Sequence, residues 1–111
     1  MRQGNVYYKE TLAGIILETV EGDFVFTYDP SYVTHYPKQF ITFSMPVRTD
    51  PYTSARLFPF FEGLIPEGWL LEIATKNWKI KANDSMGLLL ACCQNCIGAV
   101  SVIPIKENDE V

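Results

Sequence analysis

Leu57 to Ile80 reads LFPFFEGLIPEGWLLEIATKNWKI, and this stretch decides where the helices of the chain begin and end. Its first half is crowded with aromatics and broken by Pro59, Gly63, Pro66 and Gly68. Proline fits the first turn of a helix, and glycine fits the position where one stops. A short helix is therefore expected from Pro59 to Gly63. A second should start at Pro66, with Glu67 near its positive end, and run about three turns to Trp78. On a wheel of about 100° per residue with Trp69 at the origin, Leu70, Leu71, Ala74 and Trp78 fall in one arc between about 100° and 200°. That arc faces the core, Glu72, Thr75, Lys76 and Lys79 face water, and Trp69 and Ile73 sit on the boundary. Two readings of Trp69 are open: a lid folded over the local core, or an anchor that projects toward another protein. Tryptophan suits an anchor because it brings a large apolar area and one N–H donor.

Upstream, the pattern is that of strands. NVYYKE and AGIILETV are aromatic and β-branched, and the turn Glu21–Asp23 leads into FVFTYD, which alternates strictly. PSYVTHYPKQ reads as a loop, FITFSM as a further strand stopped by Pro46, and VRTDPYTSA as a polar loop around Asp50-Pro51. Downstream, Asp84 or Ser85 should cap a third helix through MGLLLACC. GAVSVIP is a closing strand that Pro104 is expected to end. Fold class is thus α+β: a small antiparallel β-sheet or partial barrel, followed by two to three helices and a closing strand. Residues 1–106 form one domain and 107–111 a charged tail.

Composition excludes several functions. With 111 residues there is room for one core. The net charge of −4, with basic residues scattered apart from Lys76, Lys79 and Lys81, argues against direct nucleic-acid binding. MRQGNVYYKETLAG lacks the apolar core of a secretory signal, and GLLLACC is too short to span a bilayer. Three cysteines lie within five positions, Cys92, Cys93 and Cys96, too close together to staple distant parts of a fold. A reducing cytoplasm is expected.

Chemistry is sparse. His35 is the single histidine, placed in the loop with Tyr32, Tyr36 and Lys38 without a partner that would make it a general base. Cys93 and Cys96 have C-x-x-C spacing, but a closed zinc site needs four ligands and no second pair is present. Packing in a reduced cluster is the simpler reading. Glu62, Glu67 and Glu72 are five apart, out of step on a helix, and EGLIPEG is not a phosphate-cradling loop. No cofactor, metal or enzymatic activity is expected.

LFPFFEGLIPEGW followed by DSMGLLLACCQNCIGAVSVIP resembles the N-terminal subdomain of HipA-type toxin kinases. Leu64, Ile65, Pro66, Glu67 and Gly68 stand for its LLPEG; Asp84, Leu88 and Leu89 for its Asp-led helix; Cys96, Gly98 and Ala99 for its closing strand. Phe26 and Tyr28, and Ser44 to Pro46, also fit. Cys93 and Asn95 depart from the family's usual Gly and Asp, so the family's turn is not carried over there. No stretch matches the kinase's ATP loop, catalytic Asp or metal-binding Asp.

A lone subdomain of this kind is similar to HipS-like antitoxins of tripartite HipBST systems. The resemblance implies a non-catalytic antitoxin that binds and inhibits a HipT-like Ser/Thr kinase lacking its own N-terminal subdomain. A HipB-like DNA-binding protein would complete the complex. Ile65, Pro66, Glu67, Gly68, Trp69 and Ile73 are the residues expected to touch the kinase. An alternative role is an accessory module that bridges the kinase to the HipB-type protein without inhibiting it.

Overall fold

The computed structural model describes residues 2–65, 76, 81, 84–94 and 99–105. Strands β1 (Arg2–Tyr8), β2 (Thr11–Glu18) and β3 (Phe24–Tyr28) form a meander, followed by helix α1 (Pro30–His35). Then come β4 (Tyr52–Ser54), helix α2 (Pro59–Glu62), helix α3 (Ser85–Cys92) and β5 (Val100–Ile105). The sheet has five strands in the order β4-β3-β2-β1-β5, all antiparallel, and it is open rather than closed. β5 returns to pair with β1, so both ends of the described chain meet on one side of the sheet.

Period-2 alternation separates the two faces. Val6, Ile16, Phe26 and Val102 are fully buried on one face, where they meet Phe61, Met86, Leu89 and Cys93. The aromatic centre of this core is built from edges. The rings of Phe26 and Tyr28 meet at 78° with centroids 4.9 Å apart, and Phe61 approaches Phe26 at 5.6 Å. Tyr32 of α1 stacks on Tyr28 at 5.9 Å. On the opposite face Asn5 and Thr27 flank Ile15, and Gln3 and Val25 flank Leu17.

A bulge between Val6 and Tyr7 leaves Ala13 without an opposite residue on β1. Its carbonyl instead accepts from the backbone N–H of Asp29, 2.7 Å away, which ties the start of α1 to the sheet. Gly14 beside it has no room for a side chain. A Cβ there would lie 2.3 Å from the Thr27 carbonyl oxygen and 2.9 Å from the Phe26 ring. Gly4 lies where α3 settles on the sheet: a Cβ would lie 2.8 Å from a Leu90 methyl.

Four expectations from sequence are corrected. PSYVTHYPKQ is not all loop, because Asp29 caps Ser31 N–H at 3.1 Å and Pro30 occupies the first helical turn, making α1. Only Tyr32 of its six residues is buried, which is too little apolar periodicity to betray a helix. Helix α1 therefore lies between β3 and β4, ahead of the other helices.

FITFSM is not a strand. Ile41 and Met45 are buried, but the backbone there is held by side chains and by local turns, such as Met45 N–H to the Thr42 carbonyl, rather than by a ladder. Tyr28 is the reason: its hydroxyl accepts from Ile41 N–H at 3.1 Å and donates to the Met45 carbonyl. Tyr32 likewise donates to the Gln39 carbonyl at 2.6 Å. Desolvation pushes the Tyr28 phenol up to about 12, so it keeps its proton and this donor role at any ordinary pH.

The fourth strand lies instead inside VRTDPYTSA, as β4. Nor does Pro104 end β5, which continues to Ile105. Pro104 sits on the sheet's outer edge, where a missing N–H removes no ladder bond. Two residues earlier on that strand, Val102 N–H donates to the Cys93 carbonyl at 2.8 Å. The expected short helix at Pro59 with Gly63 as its cap, and the helix begun at Asp84, are both present. The expected helix from Pro66 to Trp78 falls outside the described residues except Lys76, which is helical and exposed.

Two substitutions test these packing claims. Gly14→Ala should lose about 1–3 kcal/mol through forced overpacking against backbone, read as a fall in Tm of roughly 5–15 °C. Tyr28→Phe leaves the buried Ile41 N–H and Met45 carbonyl without their partner and should cost about 1–3 kcal/mol in urea unfolding. A Tyr28→Phe protein as stable as wild type would show that the 39–45 segment is held by its apolar side chains alone.

Candidate interaction site

The residues expected to meet a partner leave the core at α2. Phe61 is fully buried and is met edge-on by Phe60 at 5.3 Å and Phe58 at 6.2 Å. Gly63 closes the helix with its N–H on the Pro59 carbonyl at 3.0 Å. The next residues tighten into turns, Leu64 N–H to the Phe61 carbonyl and Ile65 N–H to the Glu62 carbonyl. Leu64 and Ile65 are half-buried against the core. The Cys93 thiol donates to the Leu64 carbonyl at 3.2 Å, fastening this turn to the end of α3.

Of the six residues expected at the contact, Ile65 is thus placed at the core margin. Pro66, Glu67, Gly68, Trp69 and Ile73 lie outside the described residues. Cys93 is fully buried and Cys92 partly so, in keeping with packing; Cys96 lies outside the described residues.

At Asp84 the chain is clamped. Asp84 caps α3 by accepting from Gly87 N–H at 3.1 Å. Arg2 of β1 grips the same carboxylate with two nitrogens, at 2.8 and 3.0 Å, while its Nε donates to Glu18 of β2 at 2.8 Å. This bidentate geometry is the strong form of an ion pair. The guanidinium, helped by the Gly87 N–H, holds the Asp84 carboxyl below its ordinary range despite partial desolvation. Asp84 and Glu18 in turn raise the Arg2 pKa above its already high value. Ile65, at the core margin, and Asp84, tied to the first strand through Arg2, are therefore two fixed points on either side of residues 66–83. Asp84 is recognisable in the sequence as a cap, but Arg2 is not recognisable as its partner, because nothing local links residues 82 positions apart.

Around the clamp lies a cleft of about 330 Å³ lined by Glu18, Phe24, Arg56, Leu57, Glu62 and Asp84, among others. Two of its three carboxylates are already engaged by Arg2, so the cleft offers no paired acid and base. His35 ends α1, exposed, with Nδ1 donating to the Ser31 carbonyl at 2.8 Å. Among the described residues no group of three His, Cys, Asp or Glu could hold a metal. No helix among them is long and apolar enough to cross a membrane. Phe43 is 88% exposed and makes a ring contact with Phe40 at 5.1 Å, an outward aromatic that the expected strand concealed.

Comparison with known proteins interprets this arrangement. Residues 4–103 match the HipA N-terminal domain family. The chain belongs to that family. A structure described as the N-terminal domain of HipA toxin has a TM-score of 0.73 and 30% identity, covering 97% of this chain and 96% of that chain. An uncharacterised protein of Haemophilus influenzae is 33% identical over 107 residues, 96% of each chain. The HipA N-terminal domain match runs from β1 into β5, so the open sheet, the α2 turn and the Asp84-led helix all fall inside it.

Asp84→Ala should cost about 1–2 kcal/mol, chiefly from the lost cap. Because the folded pKa of Asp84 is depressed, its contribution is full above the unfolded value of about 3.9 and is lost as pH falls through the folded one. The Tm gap between wild type and Asp84→Ala should hold from pH 7 to 5 and narrow below about pH 4. A gap that stays constant down to pH 2 would show that the charge on Asp84 adds nothing to stability, through either Arg2 or the Gly87 N–H.

Proposed function

We propose that this chain is a non-catalytic antitoxin that binds and inhibits a HipT-like Ser/Thr kinase lacking its own N-terminal domain. The observation that carries the reading is the match of residues 4–103 to the HipA N-terminal domain family. A relative of nearly the same extent supports a domain that occurs by itself. The protein would work by supplying in trans what other members carry in cis, with a HipB-like DNA-binding protein completing the complex. Contact would run through Ile65, Pro66, Glu67, Gly68, Trp69 and Ile73. Ile65 supports this placement because it sits at the core margin on a turn fastened to α3, a rigid base for the contact segment. Rigid presentation lowers the ordering cost of binding.

The test combines this chain with a HipA-family kinase core expressed without its N-terminal domain, and measures binding and autophosphorylation. A stable complex with suppressed autophosphorylation is expected. Trp69→Ala should weaken it by ~2 kcal/mol, about thirtyfold in Kd, as loss of an aromatic hot spot does. Full kinase activity in a stable complex would replace inhibition by the bridging role, and no complex would remove the kinase as partner.

A further inference from the structure

The loop that replaces the expected fourth strand turns one aromatic outward. Ile41 and Met45 are buried, and Phe43 between them is 88% exposed. Tyr28 holds this turn from both sides. Its hydroxyl accepts from Ile41 N–H and donates to the Met45 carbonyl, while Met45 N–H closes on the Thr42 carbonyl at 3.1 Å. Phe40 meets the Phe43 ring at 5.1 Å, and Tyr36, 40% exposed, lies 5.1 Å from the Tyr32 ring.

Charge sets this segment apart from the rest of the chain. Pro30 to Thr49 holds two of the nine basic residues, Lys38 and Arg48, and none of the thirteen acidic ones, in a chain of net charge −4. Both cations are exposed and lie five residues to either side of Phe43. Arg48 is fixed over the Tyr52 ring at 3.6 Å and donates to the Asp50 and Pro51 carbonyls, which leave its charge uncompensated. Among the described residues neither cation meets a carboxylate. Val20 is the contrast, 83% exposed at the β2–β3 turn beside Glu21 and Asp23. An exposed apolar residue standing alone is ordinary, whereas an aromatic pair on a pinned turn, flanked by one sign of charge, has the character of a contact surface.

We propose, resting on the reading above, that Phe43 is an anchor that enters an apolar pocket edged by carboxylates on the kinase. Charge selects this occupant. Nucleic acid is held through about six to ten phosphate contacts and anionic lipid by clusters of about four to eight basic side chains, and two cations supply neither. A DNA-binding protein gathers basic charge, which complements the acidic remainder of this chain and is repelled by Lys38 and Arg48. A second copy brings the same two cations, so a symmetric pair through Phe43 would set like charges against each other. Within the proposed complex the kinase is the partner left to carry the acidic rim. Because Tyr28 forms the turn beforehand, little ordering is lost when Phe43 docks.

The experiment measures association and dissociation rates with the kinase core lacking its N-terminal domain, at low and high salt. Wild type is compared with Phe43→Ala, Lys38→Glu, Val20→Ala and Trp69→Ala. Each chain alone is also sedimented, and floated with vesicles of phosphatidylcholine and phosphatidylserine. Phe43→Ala removes a side chain that the core does not use, so its Tm should stay within a few degrees of wild type. It should bind at least tenfold more weakly, through faster dissociation. Lys38→Glu should slow association and make it less sensitive to salt, and Val20→Ala should match wild type. Wild-type affinity in Phe43→Ala overturns the anchor, and weakened binding of Trp69→Ala in the same series leaves the antitoxin reading intact. Faster association of Lys38→Glu overturns the acidic rim. Wild type that dimerises, or floats with vesicles, until Phe43 is removed assigns the aromatic to a second copy or to a membrane instead. Failure of wild type to bind the kinase core removes both the anchor and the antitoxin reading.

Discussion

One arginine organises the domain. Arg2 reaches from the first strand to Glu18 on the second and to Asp84 at the head of α3, joining three elements through one planar group. The planar fork of guanidinium is what makes this work, since a lysine would offer a point charge and no fixed direction. Because Asp84 is also the cap of α3, the same carboxylate sets where that helix starts and where it sits on the sheet. With β5 paired to β1, the N-terminal strand lies inside the sheet rather than at its edge.

What can be read in the sequence depends on the range of the forces involved. Strands β1, β2 and β3 were legible because alternation and the Glu21–Asp23 turn are local signals, as were the Pro59–Gly63 helix and the Asp84 start. The stretch from Pro30 to Ser54 was not. There, Ile41 and Met45 supply strand-like apolar content, while the backbone is held by a tyrosine hydroxyl from β3 that lies 13 residues away. A side chain serving as the hydrogen-bond partner of an irregular segment leaves no periodic trace. β4, only three residues long and bounded by Asp50-Pro51, is likewise defined by its neighbour β3 and not by its own composition.

The proposed contact residues were singled out by a different signal. Trp69 drew notice because it lies at the margin of an amphipathic arc next to Pro66 and Gly68, a pattern readable without coordinates. The structure adds the base on which this segment stands: an aromatic helix, a turn fastened by a thiol, and a clamp at the far end. The outer sheet face was hidden by its own regularity. Ile15, Leu17 and Val25 look in sequence like ordinary strand residues, and only the register shows which side of the sheet they share.

The two margins of the sheet constrain how anything can be added to it. On one, Pro104 brings no amide and the Val102 amide is already spent on Cys93; on the other, β4 offers three residues. An incoming strand from another chain therefore finds few free main-chain amides along β5. Proline and the spent amide thus blunt the β5 edge as a template for an added strand, which shifts recognition there toward side chains.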